Sequence, residues 1–296
     1  IGIVGGVQLV YEAQPTPQSK VNTESINRAI DIMRNRVDAL GVSEPEIQAS
    51  GNNQITVSLP AVSNAEKAQK LVGSQAQLVF YDWEKNVITQ DGKIASEGLA
   101  TKDANSVKLM SFAGSPEGGQ SLYKAAQLAA KQPIRGGKDI SRVGPQYWLF
   151  EKGGKKLIAG PDTSLKDLYS ELPGKKQPAG SELVEVPQGT VVLMAVYKGK
   201  QLEKMQQDPA AAKWYVLRDQ VAVFGKDIRD PKQDLDQNTG GTPDVAFKFT
   251  DRGQNGFHDT TREIAQRGQG LAAFYQGSRP VQHFAVALDQ RLISVA

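Results

Sequence analysis

The sequence predicts an α+β fold: an antiparallel sheet with helices on one face, built from both ends of the chain, carrying an inserted α+β head. Three observations predict it. Residues 1–83 alternate strand and helix periodicity in the order β-α-β-β-α-β. From about 90 to 220 the texture changes, with Gly114, Gly118-Gly119, Gly136-Gly137, Gly153-Gly154 and Pro173-Gly174 cutting the chain into short pieces. Beyond 220 alternating strands and a helix return.

The first strand is Gly5–Tyr11, with Val7, Leu9 and Tyr11 on one face. After Pro15 and Pro17 comes the clearest helix, because Ile26, Ile30, Met33, Val37 and Leu40 recur every three or four residues. Thr23 is placed to cap it, Gly41 to end it, and Arg34 to pair with Asp38. Glu46–Ala49 and Gln54–Leu59 flank Gly51-Asn52-Asn53 as a hairpin. Ser63-Asn64-Ala65-Glu66 has capping-box spacing and opens a short helix closed by Gly73. Gln77–Trp83 is the fourth strand. This order suits a ferredoxin-like sandwich.

The middle region offers a helix near Gln120–Lys131, a hairpin of Tyr147–Glu151 with Lys155–Ala159, and a short helix after Ser164. Strands are expected at Thr190–Tyr197 and Trp214–Arg218, with a turn of helix after Asp208-Pro209 between them. In the last part Val245, Phe247 and Phe249 alternate in a strand. Asp251 caps a helix facing inward through Phe257, Thr261 and Ile264, and His283–Leu288 with Arg291–Val295 make a last hairpin around Asp289-Gln290. The predicted domains are therefore a base of residues 1–88 and 221–296 and an inserted head of residues 89–220. Trp83–Asp91 and Arg218–Lys226 are the linkers on which the head would swing.

Composition limits the chemistry. The 296 residues carry 35 Lys+Arg against 32 Asp+Glu, a net charge of +3, which makes no nucleic-acid footprint. With 39% hydrophobic and 23% charged residues the chain can build a core, and with no Cys it has no disulfide, thiolate metal site or cysteine nucleophile. No apolar run reaches the roughly 18–20 residues that span a bilayer. The chain opens on Ile1 inside an apolar Gly-rich phrase and stops in Leu292–Ala296, so both ends read as cut from a longer polypeptide.

No motif argues for catalysis, metal or cofactor. His258 and His283 stand far apart without ligand-spaced companions. Gly268-Gln269-Gly270 matches a dinucleotide fingerprint on paper but follows a helix, so a helix-terminating loop is expected. Ser121-Leu122-Tyr123-Lys124 has serine-acylase spacing without its companion motifs. The basic groups Lys152, Lys155, Lys156 and Lys175-Lys176 lie in turns without interleaved aromatics, and the acidic run Asp227–Asp244 lacks EF-hand spacing. What remains is an apolar inventory in the middle region: Tyr147, Trp148, Phe150, Val192, Leu193, Met194, Trp214 and Tyr215. Most of it reads as core, and a subset is the candidate lining of an adaptable binding groove.

Four strings carry a resemblance. Gly5-Gly6-Val7-Gln8-Leu9 is followed by Met33-Arg34-Asn35-Arg36-Val37-Asp38-Ala39-Leu40-Gly41-Val42-Ser43-Glu44-Pro45, and Phe247-Lys248-Phe249-Thr250 with Gly253 and Phe257 precedes Val286-Ala287-Leu288-Asp289. Together they resemble the SecD family, accessory subunits of the bacterial Sec protein-export machine. Departures are Gly2 at a usual Asp position, Gln54 for a basic residue, Ala61 for Gly, and Gln290 for the turn Gly.

The resemblance implies the first large extracytoplasmic domain of a cell-membrane protein, with a ferredoxin-like base and an inserted head. It implies binding of emerging unfolded preprotein, with Tyr147, Trp148, Phe150, Val192, Leu193, Met194, Trp214 and Tyr215 as candidate contacts. Head–base movement would be coupled to the proton-motive force through transmembrane helices outside this sequence. The implied partners are preprotein, SecF and the SecYEG translocon, with no nucleic acid and no cofactor. The alternative is the porter domain of a resistance–nodulation–division exporter, which binds small amphipathic molecules.

Overall fold

The periodicities become elements in a computed structural model that describes residues 6–15, 20–39, 45–60, 62, 65–73, 77–154, 156–170, 172–236, 242–277 and 279–296. The chain divides into two compact units, Ile1–Ala76 with Tyr169–Pro178, and Gln77–Leu168 with Ala179–Ala296.

The first unit contains β1 (Gly6–Glu12), α1 (Thr23–Ala39), β2 (Glu46–Ser50), β3 (Gln54–Pro60) and α2 (Ala65–Gly73). Its sheet has the antiparallel order β1-β3-β2, with Leu9 opposite Val57 and Ile47 opposite Val57 on the other side. The period-3.6 stripe of α1 buries Ile26, Ile30 and Val37 against the period-2 face Ile55, Val57 and Leu59 of β3. The cap of α1 is Asn22, whose Oδ1 accepts the Ser25 N–H at 2.8 Å, with Thr23 opening the helix instead of capping it. Arg34 reaches Asp31, one turn back, at 3.7 Å. The expected cap Gly41, the first two capping-box residues Ser63 and Asn64, and the Asp38 side chain lie outside the described residues.

The second unit runs β4 (Leu78–Asp82), α3 (Trp83–Asn86), α4 (Ala95–Gly98), α5 (Ala104–Ser111), β5 (Gln120–Ser121), α6 (Leu122–Ala130), β6 (Gln146–Glu151), β7 (Leu157–Asp162) and α7 (Leu165–Tyr169, whose last residue groups with the first unit). It continues with β8 (Ser181–Val186), β9 (Thr190–Met194), α8 (Gly199–Gln207), β10 (Lys213–Arg218), β11 (Val223–Phe224), β12 (Ile228–Asp236), β13 (Thr242–Phe249), α9 (Asp251–Leu271), β14 (Phe284–Leu288) and β15 (Arg291–Val295). A seven-stranded sheet has the order β11-β4-β14-β15-β9-β10-β5; a second sheet is β7-β6-β8, and β12-β13 form a two-stranded ribbon. The last hairpin forms as expected, with Leu288 opposite Arg291 and Asp289 at φ 54° in its turn.

This pairing groups the strands differently from the two-ended base. The fourth strand of the β-α-β-β-α-β series does not close a ferredoxin-like sheet with β1–β3. It pairs with β14, while β15 pairs in parallel with β9, so residues 221–296 share a sheet with the strands assigned to the head. The reason is burial. Val79, Phe80 and Tyr81 are buried in succession, so β4 is apolar on both faces and needs a sheet interior with both faces covered. Val79, Tyr81, Ala285, Ala287, Leu292, Leu193, Tyr215 and Leu217 then form one core. The expected swing linkers are part of it: Trp83, Val87 and Val221 are buried in this core, and the Ala222 N–H donates to the Phe80 carbonyl at 2.8 Å.

The α9 helix is capped by Thr250, whose hydroxyl accepts the Gly253 N–H at 3.2 Å, with Asp251 opening the first turn. Its closest approach to the sheet needs glycine: a Cβ on Gly256 would lie 2.4 Å from the Ala222 carbonyl oxygen. Further along, Arg267 donates to both Asp82 carboxylate oxygens at 2.8 and 2.6 Å and to Gln282 Oε1 at 2.6 Å. Beside it the fully buried Glu84 accepts the His283 N–H at 2.9 Å and lies 2.6 Å from His283 Nδ1. Lys85 pairs with Glu263 on the exposed side. The glycine pair Gly268 and Gly270 lies within the last turns of α9, not in a terminating loop.

A second buried polar centre joins β4 to the segment after β10. Asp219 accepts the Tyr81 hydroxyl at 2.8 Å, the Ser141 N–H at 2.8 Å and the Ser141 hydroxyl at 2.9 Å. Burial, reinforced by the Asp219 charge, pushes the Tyr81 phenol well above its ordinary range. Burial also lowers the Arg142 guanidinium to about 10 against the pull of Asp219 and Tyr81, so it stays cationic at neutral pH.

Two outcomes follow from these centres. Arg267→Met leaves the buried carboxylates of Asp82 and Glu84 without their main cation, and should cost about 3–5 kcal/mol in denaturant unfolding. Asp82→Asn in that background should restore part of the loss, which a double-mutant cycle reads directly. For Tyr81, the folded value is raised above the unfolded one, so its contribution is complete below about pH 10 and is lost as pH rises further. Between pH 10 and 11.5, Tyr81→Phe should therefore flatten the fall in unfolding free energy by up to about 1.4 kcal/mol per pH unit.

Candidate functional site

Most of the apolar residues singled out in the middle region are core, as the larger part of them was read to be. Strand alternation sends Trp148, Phe150 and Val192 into one core with Ala125, Ala129 and Val216, while Leu193 and Tyr215 enter the other. Met194 is buried as well. The rings are spent on one another: Trp148 stacks on Phe150 with centroids 6.4 Å apart and meets Trp214 edge-on at 6.3 Å, and Tyr215 meets Trp83 edge-on at 4.9 Å. The Tyr215 hydroxyl donates to the Phe112 carbonyl at 2.9 Å. Only Tyr147 and Trp214 keep part of their surface. Beside Trp214 the crevice bounded by Ile88, Leu109 and Val216 has about 10 Å³ of free space, room for one water.

One exposed apolar surface lies around α9. Five phenylalanines form a continuous ladder: Phe247 to Phe249 at 5.1 Å, Phe249 to Phe257 at 5.1 Å, Phe257 to Phe284 at 5.3 Å, and Phe284 to Phe80 at 5.5 Å. Phe80 is buried in the sheet, Phe249, Phe257 and Phe284 are half-buried, and Phe247 is 37% exposed at the far end. The ladder fastens β13 and α9 to β14 and β4 while leaving an aromatic end in solvent. Phe224, on the edge strand β11, has the Arg252 guanidinium 4.9 Å and the Lys226 ammonium 5.1 Å from its ring centre.

At the other end of α9 an open groove of about 250 Å³ runs between Ile264, Ala265 and Gly268 and the extended segment Arg279–Gln282. Val281, 68% exposed, lines it. Neither feature was singled out from the sequence. Phe247, Phe249 and Phe257 were legible as strand and helix periodicity, but their contact with Phe284 depends on strand pairing across the unit.

The remaining sequence candidates are accounted for by packing. His283 serves the buried Glu84, and His258 lies 3.3 Å from its neighbour Asp259. Ser121 ends β5 and precedes α6, which carries Lys124 on its exposed side. Among the described residues no group of three or more His, Cys, Asp or Glu is placed to hold a metal, and no helix is long and apolar enough to cross a membrane.

Comparison with known proteins matches two separate stretches of the chain. Residues 26–85 match the family model for the N-terminal part of the SecDF P1 domain, and residues 200–296 match the model for the P1 head subdomain. The SecD subunit of Acidaminococcus fermentans is 36% identical over 164 residues, which is 55% of this chain and 36% of the relative. That of Synechocystis is 34% identical over 191 residues, 54% of this chain and 40% of the relative. The SecDF of Bacillus subtilis is 30% identical over 99 residues, 33% of this chain and 13% of the relative. This chain thus spans well under half the length of each. A crystal structure of SecDF from Thermus aligns over 99% of this chain and 24% of that one at 20% identity, with a TM-score of 0.40 that carries no argument. The two family models and the SecD relatives together place this chain in the SecD/SecDF protein translocase family, as its P1 domain.

Proposed function

We propose that this chain is the extracytoplasmic accessory domain through which a membrane-bound protein translocase holds an emerging, unfolded preprotein. The observation that carries the reading is membership of the translocase family, and the apolar surface around α9 gives it a physical basis. An unfolded chain of arbitrary sequence is held by weak contacts that accept many side chains, and the exposed aromatic end at Phe247 and the groove at Val281 offer such contacts. In this reading the unit of Gln77–Leu168 and Ala179–Ala296 is the head and the unit containing β1, β2 and β3 is the base. Their relative movement, coupled to the proton-motive force through transmembrane helices outside this sequence, favours forward movement of the preprotein. SecF and the SecYEG translocon are the partners of the full-length protein.

The porter reading has less support. Small amphipathic ligands are usually enclosed in pockets of about 300–1,000 Å³, and the crevice beside Trp214 offers about 10 Å³.

Binding to an unfolded secretory polypeptide, with its folded form and a panel of small amphipaths as controls, tests the proposal. The expected result is weak, saturable binding of the unfolded form alone. Phe247→Ser with Val281→Ser should weaken it about tenfold, as expected for losing the burial of an exposed Phe and Val, and Trp148→Phe, a buried position, should leave it unchanged if the fold is kept. Binding of amphipaths alone would transfer the case to the porter reading.

A further inference from the structure

The segment between α6 and β6, residues 131–145, contains no helix or strand, yet it is fixed. Loops of this length without regular structure are uncommon in compact units and tend to carry function. Its two arms are clamped by one side chain. Gln188 Nε2 donates to the Arg135 carbonyl at 3.3 Å, and Gln188 Oε1 accepts the Gly144 N–H at 2.8 Å. The Arg135 N–H donates to the Gln188 carbonyl at 3.0 Å. Between the arms, Ser141 and Arg142 are held by Asp219, Arg142 Nη2 donates to the Thr190 carbonyl at 3.2 Å, and Asp139 takes the Arg252 guanidinium at 3.2 Å.

The two clamped arms carry two of the most exposed large apolar side chains in the described structure. Ile134 precedes Arg135 and is 79% exposed; Val143 precedes Gly144 and is 82% exposed. A single exposed aliphatic needs no explanation, but two on the neck of a pinned loop form a presented pair. The segment is also basic, with Lys131, Arg135, Lys138 and Arg142 against the single acid Asp139. Asp139 is engaged by Arg252 and Arg142 by Asp219, while Lys131 and Lys138 stand exposed.

We propose that this loop is a docking surface for an anionic lipid membrane, with Ile134 and Val143 entering the interface and Lys131 and Lys138 meeting the headgroups. Two features select that occupant. The apolar pair protrudes, and a fluid lipid interface receives protruding side chains without a matching pocket. The charge beside the pair is positive, which complements an anionic bilayer surface. A rigid loop also loses little conformational freedom on docking.

Co-sedimentation of the chain with vesicles of phosphatidylcholine alone, and with phosphatidylglycerol added, tests this. The expected result is binding only to the anionic vesicles, weakened by salt. Ile134→Ser with Val143→Ser should lower the partition coefficient about tenfold or more. Lys131→Gln with Lys138→Gln should lower it about fivefold per lysine at low salt and reduce the salt dependence. All four positions are exposed, so the unfolding midpoint should not move. Binding that survives both pairs of substitutions, or absence of binding to anionic vesicles, overturns the proposal; transfer of the effect to an acidic unfolded polypeptide would identify a protein partner instead. Phe247 and Val281 are untouched in these variants, so failure here leaves the preprotein reading intact.

Discussion

The structure depends on β4 being a strand that no sheet edge can accommodate. Val79, Phe80 and Tyr81 are buried in succession, followed directly by the buried Asp82, Trp83 and Glu84. A run apolar on both faces must be flanked by strands and covered above and below. Pairing with β14 on one side and β11 on the other satisfies that need, and it draws the far end of the chain into the same sheet as β9 and β10. The buried acids at the end of β4 then require partners, and α9 supplies the Arg267 guanidinium while the segment before β14 supplies the His283 N–H and ring nitrogen. Sheet order, the position of α9 and the ion cluster are one arrangement.

That arrangement also explains where apolar surface is left over. Aromatic residues in the middle strands face each other across short distances and are consumed as core, as the contacts of Trp148 with Phe150 and Trp214 illustrate. The phenylalanines of β13, α9 and β14 meet at the margin of the sheet, so their ladder begins inside at Phe80 and ends outside at Phe247. A surface of this kind is stiff at its root and open at its tip. It suits transient contact with chains that differ in sequence, the demand the proposed function would place on it.

Much of the local structure was legible in the sequence. The stripe Ile26, Ile30, Met33 and Val37, the hairpin around Gly51, the helix following Phe249 and the turn at Asp289 all follow from periodicity and turn chemistry, which act over a few residues. The pairing partners were not legible. A β-α-β-β-α-β order is compatible with one closed sheet, and nothing within residues 78–82 says that the better partner lies some two hundred residues later. The continuous apolar character of that strand was the available signal, and it pointed to a two-sided burial that a sandwich with one open face does not offer. The burial of the middle-region aromatics was illegible for a related reason: composition identifies aromatics, but only the sheet register tells which face they take.

The central claim is that the last seventy-odd residues fold with the middle of the chain and not with its beginning. Native-state hydrogen exchange on the whole chain tests it most directly. The account predicts that the amides of β4, β14, β9 and β10 share one opening free energy and one denaturant dependence, distinct from those of β1 and β3. Exchange in which β14 and β15 open together with β1 and β3, while β9 and β10 open separately, would contradict it.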